Sequence, residues 1–232
     1  MSNFILNIET STKACSVALS ENGNFITVKE AVDMDYSHAE KLNLFIGEVM
    51  KSSGLKFSQL SAVSVSKGPG SFTGLRIGVS TAKGLAYALA IPLISIETLK
   101  SMAVGFLSEN VCQADELLVP MIDARRKEVY MQILDAGLNP KTKTEAKVID
   151  SNSFEALYTD KKIHLFGDGA DKFAEEFNLN NRIAVHEGFY PSAQFMTGLS
   201  FQKFSAKSFE DVAYFEPYYL KDFIAIKPRK LF

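Results

Sequence analysis

The chain has 232 residues, with 47% hydrophobic and 22% charged side chains and a formal net charge of -2. This length and composition allow a substantial buried core, in one large domain or two small ones. The near balance of 25 basic and 27 acidic side chains excludes the electrostatic footprint of an autonomous nucleic-acid-binding domain.

The number of cysteines and the length of the apolar stretches indicate the cellular compartment in which the protein is expected. Cys15 and Cys112 lack the spacing of metal ligands, and two lone cysteines fit a reduced cytoplasm better than a disulfide scaffold. The longest apolar stretch near the start, residues 4–8, is too short for a signal peptide or a membrane span. We therefore expect a cytoplasmic protein without membrane association.

The first half opens with a strand, a turn and a strand. Residues 4–8 predict a buried strand that ends at Glu9, and residues 14–19 predict a second strand after a hydroxyl-rich turn. Residues 25–30 can add a third strand. This order is typical of the opening hairpin of a mixed α/β sheet.

A helix and two further strands complete the first half. The helix is predicted to begin after Ser37, which forms a capping box with Glu40, and to end at Gly54. Residues 60–66 and 92–96 predict strands on either side of a second helix.

A glycine-rich turn opens that second helix in the segment 64–90, SVSKGPGSFTGLRIGVSTAKGLAYALA. Gly68 and Gly70 predict a tight turn, after which backbone amides lie at a helix N-terminus. The turn is not a P-loop, because Gly74 is not followed by lysine. Ser71 is not the nucleophile of a hydrolase elbow, because glycines do not flank it at the required spacing. The turn therefore either holds an anion or sets the start of the helix.

The helix predicted at residues 72–90 has two uncharged faces. Its core stripe consists of Phe72, Leu75, Val79, Ala82, Ala86 and Leu89. Its second face carries small or uncharged residues, namely Gly74, Ile77, Thr81, Gly84 and Ala88. Because small residues let another backbone approach closely, this face predicts either a partner surface or a helix sandwiched within its own domain. Leu44, which lies off the core stripe of the preceding helix, extends this uncharged second face onto that helix.

The second half repeats the order of the first. Its predicted elements are a strand at 117–122 ending at Asp123, a returning strand at 128–134, a third strand at 147–149, a short helix at 153–158, a strand at 163–166, a turn with Gly167 and Gly169, and a helical segment to residue 177. The repetition predicts two related α/β domains with mixed sheets, at residues 1–104 and 105–232.

Five segments carry a resemblance to a known family. In order, ILNIETSTKACSVAL, KGPGSFTGLRIGVSTAKGLA, IDARRKEVY, FGDGA and YPSAQFM resemble the bacterial TsaB family, formerly YeaZ. The resemblance implies two ribonuclease-H-like domains of the actin, Hsp70 and sugar-kinase (ASKHA) superfamily. It also implies a role in making threonylcarbamoyladenosine in tRNA, at the adenosine next to the anticodon.

The resemblance further implies a scaffold subunit with no catalytic residues and no cofactor. Such a subunit pairs with a TsaD-type paralogue, and the pair recruits a TsaE-type ATPase and tRNA, so that tRNA is bound only through the complex. We expect the patch around Leu44 and the second helix face to bind the paralogue. In isolation the same patch is expected to form a homodimer, because a two-fold contact requires only self-complementarity.

The metal site of the catalytic paralogue is missing from this sequence. In TsaD a His-x-x-x-His pair follows the next strand, and the aligned positions here hold Thr98 and Met102, which are not comparable ligands. His38, His164 and His186 have no histidine partner three or four residues away and indicate single surface or core residues. We therefore expect no stoichiometric transition metal.

The nucleotide pocket of the superfamily is expected to survive only as a vestige. Its first acid is a glutamate, and its second is followed by ARRK instead of a phosphate-cradling loop. The positions assigned to the vestigial pocket are Glu9, Ser11, Thr12, Gly68, Gly70, Ser71, Asp123, Gly167 and Gly169.

An enzymatic alternative remains open. In it, the chain is an autonomous ATP-dependent phosphotransferase of the ASKHA type or a peptidase of the M22 type. The peptidase hypothesis finds no metal pair and no set of nucleophile, base and orienting residue, and the phosphotransferase hypothesis finds no phosphate loop. At the C-terminus, KPRK at 227–230 indicates a solvated basic end, and the aromatic side chains at 216–223 are expected to dock the tail on the body.

Overall fold

The computed structural model describes residues 2–32, 38–157 and 162–221 of the chain. The α-helices within these ranges are α1 (His38–Ser53), α2 (Phe72–Leu89), α3 (Thr98–Glu109), α4 (Ala174–Phe177) and α5 (Thr197–Ser205). Short 3-10 turns occupy Phe57–Gln59, Glu155–Leu157, Asp171–Phe173 and Ala193–Met196. Within the described ranges, no helix has the length and apolar character needed to cross a bilayer.

The first sheet is built from the first half of the chain. Its strands are β1 (Phe4–Glu9), β2 (Ala14–Glu21), β3 (Asn24–Val32), β4 (Leu60–Gly68) and β5 (Leu93–Glu97), in the spatial order β3-β2-β1-β4-β5. β2 is antiparallel to β1 and β3, whereas β4 runs parallel to β1 and β5 runs parallel to β4. β1, β2 and β4 are almost entirely buried, as expected of strands covered on both faces.

The second sheet repeats this topology. Its strands are β6 (Leu117–Asp123), β7 (Glu128–Met131), β8 (Leu134–Asp135), β9 (Glu145–Val148), β10 (Ile163–Phe166) and β11 (Ile183–His186), in the order β11-β10-β6-β7-β9, with β8 paired to β6. β7 is antiparallel to β6 and β9, and β10 is parallel to β6 and β11. The duplicated ribonuclease-H-like arrangement of the ASKHA superfamily, predicted from the sequence, is confirmed.

Several predicted elements differ in detail. The strand predicted at 128–134 divides into β7 and β8, because the backbone amide of Ile133 leaves the sheet to bind the hydroxyl of Thr142 at 3.0 Å. The helix predicted at 153–158 is the 3-10 turn at Glu155–Leu157. β11 and α5 were not predicted. Ser37, residue 158, residues 222–223 and the basic end at 227–230 lie outside the described residues.

The two faces of the first sheet are covered by different parts of the chain. α1 and α2 pack on one face, where Leu42 and Val79 are buried. The turn at Ala193–Met196 and helix α5 pack on the other face, against side chains that include Ile5 and Ile94. A segment from the second half of the sequence therefore completes the core of the first sheet.

α3 connects the two halves and is buried along most of its length. The ring of Phe106 stacks on Phe166 of β10 with centroids 4.2 Å apart. A Cβ at Gly105 would lie 2.3 Å from the ring of Phe195, so the glycine permits the close approach of the 193–196 turn. The proposed boundary between residues 104 and 105 falls within this helix. The division into 1–104 and 105–232 stays a proposal.

Candidate functional site

The acid of the first acidic turn is packed behind a cavity that lies between the two halves. Glu9 is fully buried, and its Oε1 accepts hydrogen bonds from the backbone amide of Ser11 at 2.6 Å and the hydroxyl of Ser66 at 2.8 Å. Burial raises the pKa of Glu9, although these hydrogen bonds oppose the shift. The carboxyl group therefore ties the end of β1 to β4 and does not line the cavity.

The glycine-rich turn lets α2 lie directly against the β1–β2 turn. An ideal Cβ would lie 2.2 Å from the carbonyl oxygen of Ser11 at Gly70 and 2.1 Å from that of Thr10 at Gly74. At Gly78 it would lie 2.2 Å from the hydroxyl of Thr10. Backbone carbonyl oxygens thus leave no room for a side chain at Gly70 or Gly74, and the Thr10 hydroxyl occupies the space of a side chain at Gly78. Gly74 was assigned to the exposed second face, and this assignment is wrong: Gly74 is buried and faces the β1–β2 turn.

Two amides at this helix start are already bound within the chain. Ser71 donates its backbone N–H to the carbonyl of Ser11 at 2.6 Å, and Gly74 donates to the hydroxyl of Ser71 at 3.3 Å as an N-cap bond. These bonds satisfy donors that an anion would otherwise use. Of the two interpretations of the turn, the geometry favours the one in which it sets the position of α2.

A cavity of about 460 Å³ lies between the two acidic turns and the tail. Five of the residues assigned to the vestigial pocket line it: Ser11, Thr12, Gly70, Ser71 and Asp123. The other four, Glu9, Gly68, Gly167 and Gly169, are buried behind its wall. At Gly167 a Cβ would lie 2.2 Å from the carbonyl oxygen of Met121. This glycine therefore serves the packing of the β10 turn against β6 and is not a cavity-lining residue.

The acid of the second acidic turn is paired with a lysine from another part of the chain. Asp123 Oδ1 accepts hydrogen bonds from the backbone amide of Arg125 and from Lys172 Nζ, both at 2.7 Å. Lys172 also donates to the carbonyls of Arg126 and Glu128 at 2.8 Å. The carboxylate is therefore neutralised by Lys172, which leaves less charge for holding a hydrated Mg²⁺.

Asp168 is a cavity residue that the sequence analysis missed. It lies between Gly167 and Gly169, and its Oδ1 accepts a hydrogen bond from the backbone amide of Asp123 at 3.0 Å. Burial, together with the charges of Asp123 and Asp171, raises the pKa of Asp168 to about 6. The GDG sequence was recognised as a turn, and the acidic residue between its two glycines was the available signal.

The tail forms one wall of the cavity. Tyr218 donates its backbone N–H to the carbonyl of Lys67 at 2.7 Å. The ring centroids of Tyr219 and Phe72 lie 5.0 Å apart. The guanidinium of Arg76 also lies over the Phe72 ring, 4.0 Å from its centroid. Lys221 forms a salt bridge to Glu128 in the second half. For residues 216–221, the expectation that aromatic side chains dock the tail is confirmed.

The predicted partner residues fall on the outer side of α1 and α2. Leu44 is 64% exposed, and Gly84 and Ala88 are exposed as well. Ile77 and Thr81 are half-buried, and Ile77 packs partly on the core. Tyr87, one turn from Gly84 and 82% exposed, was missed. We call Leu44, Ile77, Thr81, Gly84, Tyr87 and Ala88 the outer face.

Two of the histidines form a pair, so their interpretation as single residues is wrong. His164 Nδ1 lies 3.0 Å from His186 Nε2, and His164 Nε2 lies 3.1 Å from Glu116 Oε2. The pairing was hidden because it joins neighbouring strands 22 residues apart in sequence. Burial lowers the pKa of both His164 and His186. His38, at the start of α1, is also buried, and its Nε2 lies 3.3 Å from the carbonyl oxygen of Ala14. Thr98 and Met102, at the aligned ligand positions, are fully buried in α3.

Comparisons with known proteins identify relatives of the chain. A family profile described as TsaD, tRNA N6-adenosine threonylcarbamoyltransferase, matches residues 33–214. The Escherichia coli tRNA threonylcarbamoyladenosine biosynthesis protein TsaB is 29% identical over 229 residues, covering 96% of each chain. The Haemophilus influenzae protein of the same name is 39% identical over 126 residues, which cover 54% of this chain and about half, 51%, of that protein.

Among solved structures, YeaZ from Pseudomonas aeruginosa is similar with a TM-score of 0.76 at 25% identity, covering 94% of this chain and 100% of the other. A second structure from that organism, described as an uncharacterized protein with similarity to peptidase YEAZ, has a TM-score of 0.78 at 24% identity over the same shares and shows likeness of fold. Because the family profile spans most of the chain and the full-length relative is a TsaB, the chain belongs to the TsaB (YeaZ) family.

Proposed function

We propose that the protein is a non-catalytic subunit in the biosynthesis of tRNA threonylcarbamoyladenosine, and that it binds a TsaD-type paralogue. The names of its relatives support a role in this biosynthetic pathway. The match to a TsaD profile supports a partner of related fold, because two related chains can pair through equivalent helices in a pseudo-two-fold contact.

The observation that carries the proposal is the outer face of α1 and α2. Leu44 and Tyr87 are large side chains left mostly in water. Between them Gly84 has no atom within 4 Å of an ideal Cβ, so a second helix can approach the α2 backbone there. Small residues flanked by exposed apolar ones suit helix-on-helix packing.

The chemistry of the cavity supports a subunit without catalytic activity of its own. The amide of Ser71 and the carboxylate of Asp123 are already bound within the chain. The aligned ligand positions, Thr98 and Met102, hold buried core side chains. We infer that the catalytic centre belongs to the paralogue, and that the pair recruits the TsaE-type ATPase and tRNA. In isolation the outer face pairs two copies, which separate when the paralogue binds.

Gly84→Arg tests this face. The arginine places bulk and an unpaired charge in the contact, so we expect loss of both the homodimer and co-elution with the paralogue, measured by sedimentation and size-exclusion chromatography. The matched control is Gly198→Arg in α5, because Gly198 is also exposed, also has open space at its Cβ and lies on the opposite side of the first sheet. If a folded Gly84→Arg protein still co-eluted normally, the outer face would be the wrong surface.

The enzymatic alternative is favoured by one observation, the 460 Å³ cavity itself. Because the amide of Ser71 and the carboxylate of Asp123 are already bound within the chain, we expect ATP to bind weakly to the isolated chain and to undergo no hydrolysis. Calorimetry measures the first and phosphate release the second. Sub-micromolar affinity, or turnover that Asp168→Asn removes, would support an autonomous phosphotransferase instead.

A further inference from the structure

A cluster of thiol, carboxyl and imidazole groups lies beside the second sheet, with its thiol, its carboxyl group and one imidazole near the starts of β6 and β10. Cys112 lies in the connection from α3 to β6, and Glu116 immediately precedes β6. His164 is the second residue of β10, paired in register with Leu118 of β6, and His186 ends β11. Asp123 ends β6 and Asp168 follows β10, whereas Glu116 precedes β6 and His164 lies near the start of β10, so the carboxyl group of Glu116 and the imidazole of His164 are separate from the candidate site.

The donor atoms lie at separations that suit one metal ion. Cys112 Sγ, a carboxylate oxygen of Glu116 and a ring nitrogen of His164 all lie within 4.8 Å of one another. A tetrahedral Zn²⁺ with bonds of about 2.0 to 2.3 Å separates its ligand atoms by roughly 3.3 to 3.8 Å. Small side-chain rotations therefore suffice, because Cys112 and Glu116 lie on a connecting segment while His164 is fixed in the sheet.

His186 holds His164 in the orientation that a metal ligand requires. When His164 Nδ1–H donates across the 3.0 Å contact to His186 Nε2, the lone pair of His164 Nε2 points toward Glu116. Metal-binding histidines usually donate their second ring N–H in this way. The ring of Phe106 lies against both imidazoles, with centroids 5.5 Å from His164 and 4.7 Å from His186, and shields them from water on that side.

We propose that Cys112, Glu116 and His164 bind one Zn²⁺, with His186 as a positioning residue and a water molecule in the fourth coordination position. A thiolate, an imidazole and a carboxylate together favour zinc over Mg²⁺ or Ca²⁺, which prefer oxygen ligands. Zn²⁺ replaces the thiol proton of Cys112, which passes to solvent, and the two anionic ligands balance the charge of the ion.

The proposal departs from the expectation that the chain holds no stoichiometric transition metal, which was based on a different part of the fold. The absence of a His-x-x-x-His pair at Thr98 and Met102 concerns the start of α3, whereas the proposed ligands lie beyond its end. Two ligands lie within the loop between α3 and β6, and the third lies on the neighbouring strand β10. The bound ion therefore fastens this connection to β10.

Cobalt substitution tests the proposal on the untagged full-length chain after chelator treatment. We expect a thiolate-to-Co²⁺ charge-transfer band that saturates at one ion per chain, and its displacement by Zn²⁺ at micromolar or lower free concentration. Cys112→Ser should abolish the band, and Cys112 is partly exposed, so its replacement is compatible with folding. His186→Gln should weaken Zn²⁺ binding by about 10- to 100-fold while retaining the band.

Cys15→Ala is the matched control, since Cys15 is the other cysteine and is buried in the first sheet. Its band should equal that of the unaltered chain when circular dichroism shows both proteins folded. A folded chain without a saturable band, or a band that survives Cys112→Ser, overturns the proposal. A second readout is thermal: Zn²⁺ in excess should raise the Tm of the unaltered chain and leave that of Cys112→Ser unchanged.

Discussion

Two aspartates of the cavity, Asp123 and Asp168, differ in their surroundings. Asp123 forms a salt bridge to Lys172 through its Oδ1. Asp168, in contrast, is largely buried beside other carboxylates, and its pKa is raised to about 6. The folded protein thus holds the proton of Asp168 more tightly than the unfolded chain does. This difference makes the free energy of unfolding fall as pH rises from about 4 to about 6, with the loss complete above that range.

Asp168→Asn removes this unfavourable ionisation. The amide oxygen can still accept the backbone N–H of Asp123, so we expect the free energy of unfolding at pH 7 to rise by at most about 3 kcal/mol and its decline between pH 4 and 6 to become shallower. Urea unfolding at several pH values measures both effects. The exposed Asp115→Asn is the control and should change neither. The raised pKa of Glu9 has the same sign and remains in both variants.

Sequence reasoning at this scale succeeds for residues held by local pattern and fails for those held by tertiary contact. The positions of Glu9 and Asp123 at strand ends were predictable because each follows an apolar run and precedes a short turn, but the position of Glu9 behind the cavity wall was not. The pair of His164 and His186 was not, because its contact depends on β11, whose short and half-exposed pattern gives little signal. Lys172 was hidden for the same reason: its partner lies 49 residues away.

Among the elements, α2 shows how one helix uses glycine for two different purposes. Gly78 is pressed against Thr10, while Gly84 faces open space. The sequence places Gly74 and Gly84 on one smooth face. It could not distinguish them, because the neighbour of Gly74 is a turn 64 residues earlier, joined to it by the Thr10 hydroxyl.

A pair of alanine substitutions separates these purposes. Gly78→Ala should lower the free energy of unfolding by about 1 to 3 kcal/mol, because the new methyl group forces α2 away from the β1–β2 turn. Gly84→Ala, in the same helix, should raise it by roughly 0.5 to 1 kcal/mol, because alanine is the better helix former and nothing obstructs it. Urea unfolding of both variants gives the comparison. Equal changes in the free energy of unfolding for the two variants would mean that helix propensity alone determines the effect and that the contact of Gly78 with Thr10 does not matter.

For the whole molecule, the duplicated topology was predictable and the path of the last segment was not. Two strands, an acid and a Gly-x-Gly turn recur in the sequence, so the two sheets follow from pattern. The return of α5 to the first sheet rests on long-range contacts. Ser200 Oγ lies 2.6 Å from Asn7 Oδ1 and 2.8 Å from Ser64 Oγ, and Lys203 Nζ lies 2.7 Å from the carbonyl of Ser95.

Truncation tests that return. A chain of residues 1–191 lacks the cover of the Ile5 and Ile94 face and leaves Asn7 without its Ser200 partner, so we expect it to aggregate or to lose cooperative unfolding. A chain of residues 1–221 retains every described contact and should unfold cooperatively. Circular dichroism and size-exclusion chromatography distinguish the two. A stable, monomeric 1–191 protein would show that the first sheet does not depend on α5.

The same return has a consequence for synthesis on the ribosome. The strands that form the Ile5 and Ile94 face have all been made once β5 is complete, but the segment that covers the face follows roughly one hundred residues later. At about 5 to 20 residues per second of translation, the nascent chain presents this apolar surface for on the order of ten seconds. Such a surface is what chaperones bind. The first sheet, although made first, therefore completes its core only after the strands of the second have been synthesised.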